Sequence, residues 1–201
     1  MAAKLSLEDI ADLRAYERER DEFRTRVIAL KRRRRVHVGP VVTLVFENRD
    51  TIRFQIQEMA RAERMLTDEA IQGELDAYNP LIPDAGELSA TLFIELTSEG
   101  ELREWLPKLV GIERSVELRV GEGQDAIVVA ASPESSHAAQ LTRDEITASV
   151  HYIRWSFTPE QIEQAADGPL VLAVNHPEYQ HHTRLSDETA RELVEDLRGG
   201  A

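Results

Sequence analysis

The early part of the chain spaces its apolar residues as helices do, and the later part alternates as strands do. Leu7, Ile10 and Leu13 follow Ser6-Leu7-Glu8-Asp9, where a serine cap and acidic residues suit the positive end of a helix. Residues 17–22 are almost entirely charged, so this helix is either solvated there or broken in two. Phe23, Val27 and Leu30 restore an apolar stripe that runs into Lys31, Arg32, Arg33, Arg34 and Arg35, cations suited to a helix C-terminus. Gly39-Pro40 forces a turn, and Val41-Val42-Thr43-Leu44-Val45-Phe46 is apolar on both faces, as a buried central strand is.

Asn48-Arg49-Asp50-Thr51 caps a helix carrying Ile52, Ile56, Met59 and Glu63 on one face, and Thr67-Asp68-Glu69 opens another through Ile71, Leu75 and Tyr78. Asn79 to Asp84, with two prolines around Leu81 and Ile82, is expected to be an ordered structural loop rather than a lid. Strands are predicted at 88–96, 115–120, 126–131, 147–157 and 170–174, and helices at 99–109 and 159–166. Residues 132–140 read as a polar loop and 175–184 as irregular, and Ser186 caps a final helix to Leu197. The pattern is α+β, with N-terminal helices followed by a mainly antiparallel sheet with short covering helices, in a single domain over residues 1–201.

Charge narrows the partners. The net charge of −13 divides into +4 over residues 1–65 (15 Lys and Arg against 11 Asp and Glu) and −17 over the remainder (9 against 26). An acidic majority disfavours nucleic acid, leaving only the N-terminal basic run for that role. Of the basic residues 21 are Arg, the residue suited to bidentate carboxylate pairing, although a GC-rich genome gives the same bias. There is no Cys, which removes disulfides, thiolate zinc sites and a Cys nucleophile. No long apolar run or signal-peptide pattern is present, so a cytoplasmic location without membrane contact is expected.

Phosphate-binding loops, nucleophile elbows and His-Glu-x-x-His are absent, and three constellations remain. His176, His181 and His182 cluster around Glu178, with His151 on a nearby predicted strand; they could bind a divalent metal such as iron or zinc, or simply lie in a polar loop. His137 carries no such signal. Glu58 shares a helix face with Gln55 and can pair with Arg61; buried, it could act as a base, while on the surface it belongs to an ion-paired face. Lys31 to Arg35 could dock an acidic partner, or could cap the helix and pair with the acidic C-terminal part.

Several longer segments point to a family. Val27-Ile28-Ala29-Leu30 with the basic run and Val38-Gly39-Pro40 is one, and Phe54-Gln55-Ile56-Gln57-Glu58-Met59 is another. So are Glu74-Leu75-Asp76-Ala77-Tyr78-Asn79-Pro80-Leu81-Ile82-Pro83, Val150-His151-Tyr152-Ile153-Arg154 and Asn175-His176-Pro177-Glu178-Tyr179. Together they resemble the bacterial domain-of-unknown-function family 3501, over most of the chain. The family has no established activity, so the resemblance assigns no catalytic residue. Its genes commonly lie beside those of a rubrerythrin-like protein and a Cys-rich iron–sulfur oxidoreductase, which implies a role near peroxide or iron redox chemistry.

Three functions stand at this point. The first is an accessory or interaction protein of a rubrerythrin-type system, its redox partner supplying the cofactor. The second is a metal-dependent enzyme with His151, His176 and His181 or His182 as ligands and Glu58 as base. The third is RNA binding through the basic run, which predicts steep salt dependence. A homo-oligomer is left open.

Overall fold

The computed structural model describes residues 4–121, 123–134 and 146–199. His137 and most of the polar stretch at 132–140 lie outside these residues. The described elements are β1 (Arg35–Val38), β2 (Val42–Glu47), β3 (Glu87–Ile94), β4 (Val116–Val120), β5 (Ile127–Ala130), β6 (Ser132–Pro133), β7 (Val150–Ser156), β8 (Leu170–His176) and β9 (Tyr179–Arg184). The helices are α1 (Leu13–Arg34), α2 (Arg49–Glu63), α3 (Asp68–Tyr78), α4 (Glu99–Lys108), α5 (Pro159–Asp167) and α6 (Asp187–Leu197). No helix among the described residues is long and apolar enough to cross a membrane.

Two antiparallel sheets form, in the orders β1-β2-β3-β7-β6 and β5-β4-β8-β9. Alternation along each strand decides which residues lie between them. Val42, Leu44 and Phe46 of β2, Leu88, Ala90 and Leu92 of β3, and Ile153 and Trp155 of β7 meet Val116, Leu118, Leu170, Leu172 and Val174 of the second sheet in one buried cluster. Each such side chain contributes roughly 1.5–3 kcal/mol by leaving water. Ala165 of α5 and Leu193, Val194 and Leu197 of α6 complete the cluster.

The sheets also meet at both edges. The chain runs from β5 through Ala131 into β6, changing sheets as it goes. On the other side β1 lies against β9, where the Tyr179 hydroxyl donates to Val38 O (2.7 Å) and accepts from the Val41 and Val42 amides (3.1 and 3.2 Å). Gly39 makes this clasp fit: its φ is +73°, and a Cβ there would sit 2.5 Å from the Tyr179 oxygen and 2.5 Å from His181 Cγ.

The sequence reading differs from the structure in several places. Residues 7–9 form only a short 3-10 turn, and α1 starts at Leu13 under an Asp12 cap that accepts from the Ala15 amide at 2.9 Å. From there α1 is unbroken, because its charged middle is used: Glu17, Glu19 and Arg20 pair with Arg61, Arg53 and Glu58 of α2 while Tyr16, Phe23 and Val27 face inward. Residues 175–184 are not irregular; β8 and β9 form a hairpin whose last pair, His176 and Tyr179, leaves a two-residue turn at Pro177-Glu178. The polar composition of β9 hid it, since Gln180, His181, His182 and Arg184 are all exposed.

Candidate ligand pocket

Helices α1, α2 and α3 cover the other face of the first sheet, and that face is polar. Thr43 and Glu47 of β2, Ser89 and Thr91 of β3, and Tyr152 and Arg154 of β7 project toward the helices. Ile52 and Ile56 of α2 with Leu75, Leu81 and Ile82 fill part of the space as a second core cluster. Beside it a cavity of about 240 Å³ stays open, lined by Lys31, Glu47, Ile52, Gln55, Tyr78, Leu81, Thr91, Phe93, Val150 and Tyr152. Its floor is built from cross-strand pairs, Thr91 with Tyr152 and Phe93 with Val150. Its rim includes the loop after α3, which is held rigidly: Arg154 donates to Pro80 O, Ser89 Oγ to Leu81 O, and the Asn79 side chain binds both backbone groups of Leu5. With Leu81 3% and Ile82 1% exposed, the loop is a packed wall, as its prolines predict.

Glu47 is the unusual residue here. It is 7% exposed, and its two carboxylate oxygens accept from Thr51 Oγ1 (2.5 Å) and Thr91 Oγ1 (2.6 Å). Thr51 also closes the capping box of α2 with Asn48, so the positive helix end stands beside the carboxylate. Among the described residues no Lys or Arg forms an ion pair with Glu47, although buried carboxylates are ordinarily paired. Lys31, on the same lining, has no carboxylate partner among the described residues either; its Nζ lies 5.9 Å from the Phe54 ring centroid. Burial pushes the Tyr152 phenol up to about 12, with Tyr78 and Glu47 adding to the effect, so Tyr152 stays a hydrogen-bond donor.

Apart from Lys31 and Gln55, the residues singled out from the sequence fall elsewhere. Glu58 joins α1 to α2: Arg20 holds both of its oxygens (2.9 Å each) and the Tyr16 hydroxyl donates at 2.8 Å. Arg20, then Tyr16, hold its carboxyl below the usual range despite partial burial, which makes it an ionised anchor and a weak base. Arg61 pairs with Glu17 instead of Glu58. His151 is buried in β7, its Nε2 within 2.8 Å of Thr147 Oγ1 and 2.9 Å of Ala148 O. His176 is buried too, with Nε2 3.1 Å from Val110 O and Nδ1 accepting from the Glu178 amide at 3.2 Å. His181 and His182 are adjacent on β9 and so point to opposite faces; His181 packs on the Tyr179 ring, 4.5 Å between centroids. No group of three or more His, Asp or Glu that could hold a metal occurs among the described residues, so the structure does not bring the four histidines and Glu58 together.

The basic run is divided among several tasks. Arg34 is 3% exposed and holds both oxygens of Asp196 (2.6 and 2.9 Å), Arg33 pairs with Glu192, and Arg35 pairs with Glu95 at 3.0 Å. Lys31 faces the cavity and Arg32 is exposed. Gln55 and Lys31 stand out in the sequence for other reasons, and Glu47, Tyr78 and Tyr152 do not stand out as site residues. Two signals pointed to them: Glu47 ends an otherwise buried strand, and period-two spacing sets Tyr152 and Arg154 on one face of β7.

Comparison with known proteins places the chain without adding an activity. A family model described as a protein of unknown function (DUF3501) matches residues 4–197. The crystal structure at 1.90 Å resolution of a novel protein of unknown function from Burkholderia pseudomallei K96243 is 38% identical, covers 97% of this chain and 100% of that one, and superposes with a TM-score of 0.88. Among curated proteins none matches.

Proposed function

The chain belongs to the DUF3501 family of proteins of unknown function, and from its own cavity we propose that it binds a small polar metabolite over the first sheet. One observation carries this reading: Glu47 is a buried carboxylate with hydroxyl donors but no ion-pair partner among the described residues, on the wall of an open cavity. Burying an ion without a counter-charge costs stability, and such costs concentrate where a ligand is to be met. The remaining lining suits this role, with a few polar groups (Gln55, Tyr78, Thr91, Tyr152) set among Ile52, Leu81, Phe93 and Val150. At about 240 Å³ the space is below the roughly 300–1,000 Å³ of drug-sized sites, which suits a metabolite.

The setting we propose is the one the family resemblance implies: an accessory of a rubrerythrin-type peroxide or iron system in which the redox chemistry resides in the partner. The ligand pocket gives such an accessory something to sense or deliver. The test is mass spectrometry of small molecules that remain with the purified protein, repeated on Val150→Trp, which fills the cavity. A molecule retained by the wild type and lost from a folded V150W supports the reading. Equal retention by both, or no retained or added metabolite raising the melting temperature, overturns it.

A further inference from the structure

We propose that the ligand of this pocket is a small zwitterion, with its ammonium group at Glu47 and its carboxylate group at Lys31. This rests on the pocket being a ligand site and adds the class of ligand. The lining carries two opposite charges that do not satisfy each other: among the described residues Glu47 has only hydroxyl donors, from Thr51 and Thr91, and Lys31 has only the face of Phe54. A ligand bearing one charge would leave the other wall group desolvated without a counter-ion, which is the expensive outcome in a low-dielectric cavity. A ligand bearing both charges compensates both walls at once and keeps the occupied pocket neutral.

The lining groups fit the same molecule. Glu47 already accepts one hydrogen bond on each oxygen, from Thr51 and Thr91, and each oxygen retains acceptor capacity for an N–H donor. Lys31 offers N–H donors for a carboxylate. Ile52, Leu81, Phe93 and Val150 supply an apolar surface for the body of the molecule. The dividing chemistry is therefore an amine and a carboxylate carried on an apolar or aromatic frame, as in apolar amino acids and short ω-amino acids.

The experiment measures melting temperature and calorimetric affinity on the full chain with three probe sets. The first is zwitterionic: phenylalanine, leucine, 4-aminobutyrate and 5-aminovalerate. The second holds their singly charged counterparts, phenethylamine and 3-phenylpropionate, and the third is a neutral fragment library. Binding is expected from a zwitterion and weaker binding from its singly charged counterparts. Removing one charge-assisted contact with Glu47→Gln or Lys31→Met should weaken the zwitterion about tenfold or more. E47Q should spare 3-phenylpropionate, and K31M should spare phenethylamine. Both variants are checked for unliganded melting, and K31M, altering a half-exposed residue, keeps the test valid if E47Q unfolds. Singly charged probes binding as tightly as zwitterions overturn the inference. So does a neutral fragment that binds and is excluded by V150W while no zwitterion binds; the pocket then stands and its assigned class falls. If nothing binds, both fall.

Discussion

Two carboxylates on either side of α2 are treated in opposite ways. Glu58, on the seam with α1, is gripped by Arg20 and Tyr16 and held ionised. Glu47, under the N-terminus of the same helix, is more deeply buried yet has, among the described residues, only two hydroxyls and the helix end. The first region has its charge compensated from within the chain and holds elements together. The second leaves its charge uncompensated beside open space. The contrast separates structural acid from ligand-directed acid by the partners each one has, where burial alone would order them only by depth.

Breaking the compensated kind should cost most. Arg34→Ala leaves Asp196 buried with its counter-ion removed; burial already pushes that carboxyl up, and Arg34 is the main group pulling it down. A loss of about 3–5 kcal/mol in urea unfolding is expected; a loss under about 1 kcal/mol would show that water reaches Asp196 and that the pair is peripheral. Glu58→Gln should cost about 1.5–3 kcal/mol, the scale of hydrogen bonds to charged groups, with no change in ligand binding at the pocket. If it alters binding as strongly as E47Q, the two regions are not separate.

Glu47→Gln should behave differently from both. The amide keeps an acceptor for one threonine and can donate to the other, while the buried charge disappears. Unfolding free energy should stay within about 1 kcal/mol of wild type or rise, as at sites where function is maintained against stability. A loss above about 2 kcal/mol would make Glu47 a structural acid like Glu58.

The smallest effect concerns a buried group that avoids the problem by staying neutral. Burial holds His151 below its ordinary 6.5, with Glu113 and the Ala148 carbonyl pulling the other way. Above 6.5 it is neutral both folded and unfolded and contributes no pH dependence. Below 6.5 the unfolded chain takes up a proton that the folded chain refuses, so stability falls with pH until the folded value is reached. The slope from one such group is at most about 1.4 kcal/mol per pH unit. His151→Gln should flatten the stability profile between pH 6.5 and its acid limb; an unchanged difference from wild type would assign the slope elsewhere.

Most elements were legible because their signals are local. Asn48, Ser98 and Thr158 start helices with reciprocal caps, and the run from Val42 to Phe46 reads as a central strand because both faces are covered, one by the second sheet and one by helices. The fold class follows from these, as the two antiparallel sheets with their helices confirm. What was hidden depends on distant partners. Arg35 to Val38 form a strand only because β2 lies beside them, and β9 looks polar because half of it faces solvent. The pocket joins residues from 31 to 152, and nothing near Glu47 in the sequence announces that, among the described residues, no Lys or Arg pairs with it. Glu58, which the sequence offers as a candidate base or as part of an ion-paired face, could not reveal its partner 38 residues upstream.

The buried pair of Arg34 and Asp196 spans 162 residues, and the Tyr179 clasp on Val38 spans 141. At roughly 5–20 residues per second, translation separates the two halves of each contact by on the order of ten to thirty seconds. During that interval α1 exists with its terminal guanidiniums in water, stabilised by their position at its negative end and helping to keep a nascent chain soluble. Only when α6 emerges does Arg34 withdraw into the protein, with Arg33 paired beside it. Closure is thus a late, long-range event of high contact order, and Arg33 and Arg34 are solvated during synthesis and a fastening to α6 afterwards.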